Sequence, residues 1–113
     1  MMNSAYPLRA AILALPEATA STIYGMYDLF SSTGRDWETI VNGEPGPAVF
    51  EPYTVSPDGR RFQAGNGVWI EPDYALDNSP PPDLICIPEL LVDPHTDTRG
   101  CYARESAWIN GYY

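Results

Sequence analysis

Two glutamates in this chain each follow a proline that closes an apolar run: Pro16-Glu17 and Pro88-Glu89. A carboxylate just past the carboxyl end of a buried strand can orient a hydrogen-bond donor, hold a cation or assist a nucleophile. Glu17, Pro88, Glu89 and Leu90 are therefore the candidate ligand-binding residues. Each glutamate also has a plainer reading. Glu17 near a helix start favours the positive end of the helix dipole. Glu89 reads more simply as a solvated loop acid.

The remaining reactive side chains do not assemble into a catalytic set. His95 is the only histidine. Asp93 and Asp97 flank it, but structural zinc requires more nitrogen or sulfur ligands, so a loop is expected and no metal. Cys86 lies inside an apolar run, where a thiol behaves as a small hydrophobe. Cys101 precedes a helix and is read as inert. No nucleophile–base pair is evident in the sequence, so neither a catalytic residue nor a cofactor is assigned. Trp37, Trp69 and Trp108 are expected in the core or a pocket wall, because no basic residues interleave them as in a base-stacking platform.

Composition narrows the classes further. The chain has 113 residues, enough for one domain at most. Its formal net charge is −9, from 15 acidic residues and 6 basic ones, all arginine. Only Arg60-Arg61 are adjacent, too few cations for a phosphate backbone, so no nucleic acid is expected through this segment. Acidity also opposes an anionic membrane surface. No apolar run reaches the ~20 residues a bilayer span needs, and residues 1–7 lack a signal-peptide core. Two cysteines do not make a disulfide framework, and a reducing cytoplasm fits.

Certain elements must position these residues. Leu8–Leu15 is apolar on both faces, as a central parallel strand requires. Thr19–Ser32 reads as a helix with Ile23, Met26, Tyr27 and Phe30 on one face. Thr19 or Ser21 caps its start, and Thr33-Gly34 ends it. Gly25 within it signals either close packing or a tolerated weak point. Arg35–Pro47, rich in glycine and proline, reads as a loop. Val49–Val55 is a strand and Pro57-Asp58-Gly59 a turn. Arg61–Ala64 and Val68–Glu71 form a hairpin about Gly65-Asn66-Gly67. Pro72-Asp73-Tyr74 starts a single helical turn, and Ser79–Pro82 is a stiff spacer. Leu84–Ile87 is a second buried strand, parallel to the first. Leu90–Arg99 is a polar loop, and Cys101–Tyr112 a closing helix with Cys101, Glu105, Trp108 and Tyr112 on one side. This order opens an open, mostly parallel α/β sheet.

Three segments carry a resemblance to a known family. They are Leu8–Thr22, Asp83-Leu-Ile-Cys-Ile-Pro-Glu-Leu, and Glu105-Ser-Ala-Trp-Ile-Asn-Gly-Tyr-Tyr. The chain resembles the N-terminal half of a ThiJ/PfpI-type domain, the class I glutamine amidotransferase-like fold. Val55-Ser-Pro-Asp-Gly and Gly65-Asn-Gly-Val-Trp-Ile-Glu-Pro-Asp are more similar to the branch found at the N-terminus of AraC-type transcription regulators. The resemblance implies a flavodoxin-like sheet with helices on both faces and a small β-hairpin, truncated at Tyr113, where the family places its nucleophile. In the family's enzymes a glutamate matching Glu17 contacts that cysteine. A Pro-Gly-Gly turn follows the later strand and forms an oxyanion hole. Here the match is Pro88-Glu89-Leu90, and side chains crowd a place that needs close backbone approach.

The resulting expectation is a non-catalytic ligand-sensing and dimerisation module of an AraC-type regulator, with a small-molecule effector and a second copy as partners. The alternative is a fragment of a ThiJ/PfpI-family cysteine hydrolase, isomerase or glyoxalase-like enzyme.

Overall fold

The computed structural model describes residues 7–112. Residues 1–6, part of the segment read as lacking a signal core, and Tyr113 lie outside the described residues. Strand β1 (Leu8–Leu13) is the centre of the molecule. Its two-faced apolar run allows helices on both sides, and Ala10, Ala11 and Ile12 are completely buried. Strand β2 (Phe50–Ser56) pairs with it in parallel, with Ile12 opposite Thr54. Strand β6 (Leu84–Cys86) pairs in parallel on the other side, with Ile12 opposite Cys86. Asp83 fixes that register: its carboxylate accepts the Arg9 amide at 2.8 Å, and its own amide donates to the Arg9 carbonyl. The four-stranded sheet runs β5-β2-β1-β6, all parallel, where β5 is Tyr74–Ala75. The fold is α/β, as the apolar patterning predicts.

Successive residues of β1 point to opposite faces, so Ile12 and Leu13 anchor two separate cores. Ile12, Ala14 and Ala18 pack with Ile23 of helix α1 (Ala20–Ser32). Met26, Tyr27 and Phe30 join them at the predicted helical spacing. Ala64 and Ile70 of the hairpin close that side. The hairpin pairs β3 (Phe62–Gln63) with β4 (Trp69–Ile70), and Asn66 and Gly67 take positive φ at its turn. On the opposite face Leu13, Tyr53 and Val55 pack against Trp108 and Ile109 of helix α3 (Ala103–Tyr112).

Several expectations are corrected. Residues 36–42 form helix α2 (Asp36–Asn42) where a loop was expected. Asp36 and Glu38 in its first turn suit the dipole, and Gly43 at φ 78° closes it. Tyr74–Ala75 is a strand and not a helical turn, because Asp73 ties to Thr54 through both backbone and side chain. Trp37 is 68% exposed and Trp69 is half exposed under Arg61; only Trp108 joins a core. Cys101 is exposed and precedes α3. β6 is half-buried, since β1 covers one edge only, and Ile87 beyond it is 56% exposed.

Two glycines give opposite predictions. A Cβ at Gly25 meets nothing within 4 Å, so close packing does not explain it. Gly25→Ala should stabilise the fold by about 0.5–1 kcal/mol, the ordinary helix-interior gain. Gly34 sits at φ 79°, and a Cβ there lies 2.6 Å from Val49 Cγ2. Gly34→Ala should cost at least about 1–2 kcal/mol. Paired thermal melts check both; equal shifts of one sign would refute the assignment.

Candidate functional site

The strand order reverses at β1, with β2 on one side and β6 on the other. In open α/β sheets ligands bind beyond the carboxyl ends of strands at such a point. The loops after β1 and β6 meet there: the Leu91 amide donates to the Glu17 carbonyl at 2.9 Å.

Glu17 is half-buried, and its Oε1 accepts the Tyr102 hydroxyl at 2.9 Å. Desolvation, followed by the Glu17 hydrogen bond and charge, pushes the Tyr102 hydroxyl up to about 12. Glu89 points elsewhere. Its Oε1 accepts the Thr19 amide at 3.2 Å. Its Oε2 accepts the Thr19 hydroxyl at 3.2 Å and the Thr22 hydroxyl at 2.5 Å. Thr19 precedes α1 but makes no side-chain cap to it, so a carboxylate 70 residues away serves the helix start. The Thr22 hydroxyl and the Thr19 amide hold Glu89 below the ordinary carboxylate range.

Between the strand ends and α3 lies a cavity of about 180 Å³. Leu13, Leu15, Ile87, Leu90 and Ile109 form its apolar walls. Tyr102, Glu105 and Ser106 supply its polar groups. Of the residues nominated from sequence, Leu90 lines this cavity. Glu17 is one hydrogen bond away through Tyr102, Pro88 is buried, and Glu89 is turned towards α1. Tyr102, Glu105 and Ser106 were not nominated; the one hint was Glu105 sharing a helix side with Trp108. A larger cavity, about 340 Å³, runs beside β6 and Tyr112 and shares Ile87 and Ile109 with the first. Its polar groups are Tyr112 and Asp83, and the Asp83 carboxylate is already engaged with the Arg9 amide.

The other chemical candidates resolve into structure. Asp93 accepts the His95 amide and Asp97 pairs with Arg99, so both acids are engaged within their own loop. Among the described residues no group of three or more His, Cys, Asp or Glu side chains could hold a metal ion. Burial raises the Cys86 thiol, the opposite of nucleophile activation. No helix among the described residues is long and apolar enough to cross a membrane.

Tyrosine titration offers a check on this geometry. Tyr53 is also pushed up to about 12, chiefly by burial. Tyr53 and Tyr102 should therefore both ionise well above the ordinary tyrosine range. A folded-state value above the ordinary 10 means stability is intact below pH ~10 and is lost as pH rises through the folded value. Glu17→Gln should lower the titration midpoint of Tyr102 and leave Tyr53 unchanged, read by residue-resolved NMR. Equal movement of both would contradict the contact.

Neither a family model nor a curated protein sequence matches the chain. Solved structures do. A candidate transcriptional regulator from Vibrio parahaemolyticus superposes with a TM-score of 0.60 at 16% identity, covering 91% of this chain and 49% of that one. A DJ-1 superfamily protein from Agrobacterium tumefaciens superposes with a TM-score of 0.55 at 17% identity, covering 93% of this chain and 47% of that one. The likeness shows a DJ-1-like, flavodoxin-like α/β fold, and this chain spans about half the length of each of those structures.

Proposed function

We propose that this chain is part of the ligand-sensing and dimerising domain of an AraC-type transcription regulator, without catalysis of its own. The observation that carries the reading is the cavity at the β1–β6 switch point. It is apolar, small and equipped with a few convergent polar groups, the make-up of a ligand site. Both family-position carboxylates are engaged in hydrogen bonds, Glu17 with Tyr102 and Glu89 with the start of α1. The regulator description of one similar structure supports the same direction. On this reading residues 1–113 are the N-terminal half of a ThiJ/PfpI-type domain. Leu90 lines its effector site, Glu17 supports that site through Tyr102, Pro88 and Glu89 hold the loop that carries Leu90, a second copy is its partner, and the protein works in the cytoplasm. DNA contact belongs to another part of the protein.

The competing reading is a piece of a cysteine hydrolase, isomerase or glyoxalase-like enzyme, favoured by the position of Glu17 after β1. Glu89 weighs against it. A carboxylate that caps α1 fills the turn where an oxyanion hole needs bare backbone amides. The coding sequence after codon 113 separates the two. Arginine-rich helix-turn-helix segments support the regulator. A cysteine on a tight strand-to-helix turn, with no DNA-binding segment after it, overturns it. The chain itself should show no turnover of model glyoxals, peptides or esters. Turnover abolished by Cys101→Ser would also overturn it.

A further inference from the structure

Helix α2 has the apolar face of an amphipathic helix and nothing beneath it. Trp37, Ile40 and Val41 stand at i, i+3 and i+4, on one side of the helix. They are 68%, 77% and 55% exposed, and no residue of α2 is buried. Single apolar side chains at a surface are ordinary. Three on one helix face, led by a tryptophan, have the make-up of an interaction patch. The face is also held in place. The Gly46 amide donates to the Arg35 carbonyl at 3.1 Å, and the Thr39 hydroxyl donates to the same carbonyl at 3.2 Å. The Asn42 side chain donates to Glu38. A helix this short does not persist on propensity alone, so these ties fix its direction.

Charge decides what fits there. At about 3.6 residues per turn, Asp36 falls beside Ile40 and Glu38 beside Val41, so acids flank the apolar face on both sides. Arg35 is the only cation between Arg9 and Arg60, and its guanidinium is already paired with Asp36 at 2.8 Å. Among the described residues Glu38 pairs with no cation. An isologous contact with a second copy would set acid against acid at this rim. We infer that α2 docks a basic amphipathic helix of a partner protein. Its apolar side covers Trp37, Ile40 and Val41, and its lysines or arginines reach Glu38 and Asp36. The inference does not depend on the effector cavity, to which α2 contributes no residue.

Three model peptides of about 18 residues, long enough to form a helix, test this. One is Leu-Lys, one Leu-Glu and one Ser-Lys, all at the same amphipathic spacing. Each is titrated into the chain and followed by NMR shifts of Ile40 and Val41. The Leu-Lys peptide should bind at least about tenfold more tightly than either of the others. Trp37→Ala and Ile40→Ala, with folds checked by circular dichroism, should each weaken it by about tenfold, as truncation of an interface anchor does. Glu38→Gln should weaken it by about two- to fivefold and flatten its salt dependence. Equal binding of Leu-Lys and Leu-Glu overturns the basic partner. Equal binding of Leu-Lys and Ser-Lys overturns the apolar docking. Shifts centred away from α2, unchanged affinity in both alanine variants, or no binding at all overturn the assignment to this helix. Shifts of Ile40 and Val41 that grow with the concentration of the chain alone make a second copy the occupant, and overturn it too. The three peptides compared on the unaltered chain decide the matter even if a variant fails to fold.

Discussion

Ile12→Ala should lower stability by about 2–5 kcal/mol, the range for deleting a large buried aliphatic side chain whose surroundings close only partly. Ile12 has no exposed surface and packs with Ile23, Ala14 and Ile70 on the α1 side of the sheet. Relaxation is limited there, because the Ile12 backbone is held between Thr54 and Cys86 in two parallel ladders. Leu13→Ala should cost a similar amount on the other face, where Tyr53, Val55, Trp108 and Ile109 surround it. The location of the damage distinguishes the two. Native-state hydrogen exchange should show α1 losing protection in Ile12→Ala and α3 losing protection in Leu13→Ala. Chemical denaturation gives the magnitudes. A loss below about 1 kcal/mol for either variant, or damage spread evenly over both faces, would contradict two separate cores hung on one strand.

That strand was legible in the sequence because its physics is local. Leu8–Leu15 is apolar apart from Arg9, without alternation, and a sheet covered on both sides accommodates that. Helix α1 was legible for the same reason: Ile23, Met26, Tyr27 and Phe30 are spaced to meet one surface, and they do. Helix α2 was not. Its apolar residues Trp37, Ile40 and Val41 keep helical spacing, but Ile40 is 77% exposed and the helix buries nothing, while nearby glycines and prolines signal a loop. Strand β5 was missed because two residues tied by Asp73 carry no periodicity at all. The site divides along the same line. Strand ends locate Glu17, Pro88, Glu89 and Leu90 to one end of the sheet. Which way each side chain turns depends on partners far along the chain: Tyr102 lies 85 residues from Glu17, and Thr22 lies 67 from Glu89. No local pattern encodes such pairs. Both readings of Glu89 made from sequence, solvated acid or ligand contact, left out the helix start it serves.

Acidification should loosen the start of α1 through Glu89. Its carboxylate accepts the Thr19 amide and the hydroxyls of Thr19 and Thr22, a cap supplied by the loop after β6. The Thr22 hydroxyl is the largest cause of its lowered titration, followed by the Thr19 amide. The sign follows from linkage. A carboxyl group that titrates lower in the folded chain than in the unfolded one stabilises the fold above the ordinary carboxylate range. That contribution is lost as pH falls through the folded value. Exchange protection of the Thr19 amide and the first turn of α1 should therefore fall on acidification below about pH 4.3, the ordinary glutamate value. Glu89→Ala should reduce the same protection by about five- to tenfold at neutral pH, as expected for a lost helix cap. Glu89→Gln keeps an acceptor oxygen and should lose less, but it should remove the acid dependence. The loop after β6 should loosen together with α1, because one carboxylate ties the two. Leu90 of that loop lines the cavity, so this tether also holds one of the cavity's walls. If first-turn protection keeps its full pH dependence in Glu89→Gln, another carboxylate caps the helix in solution and the tether is not Glu89.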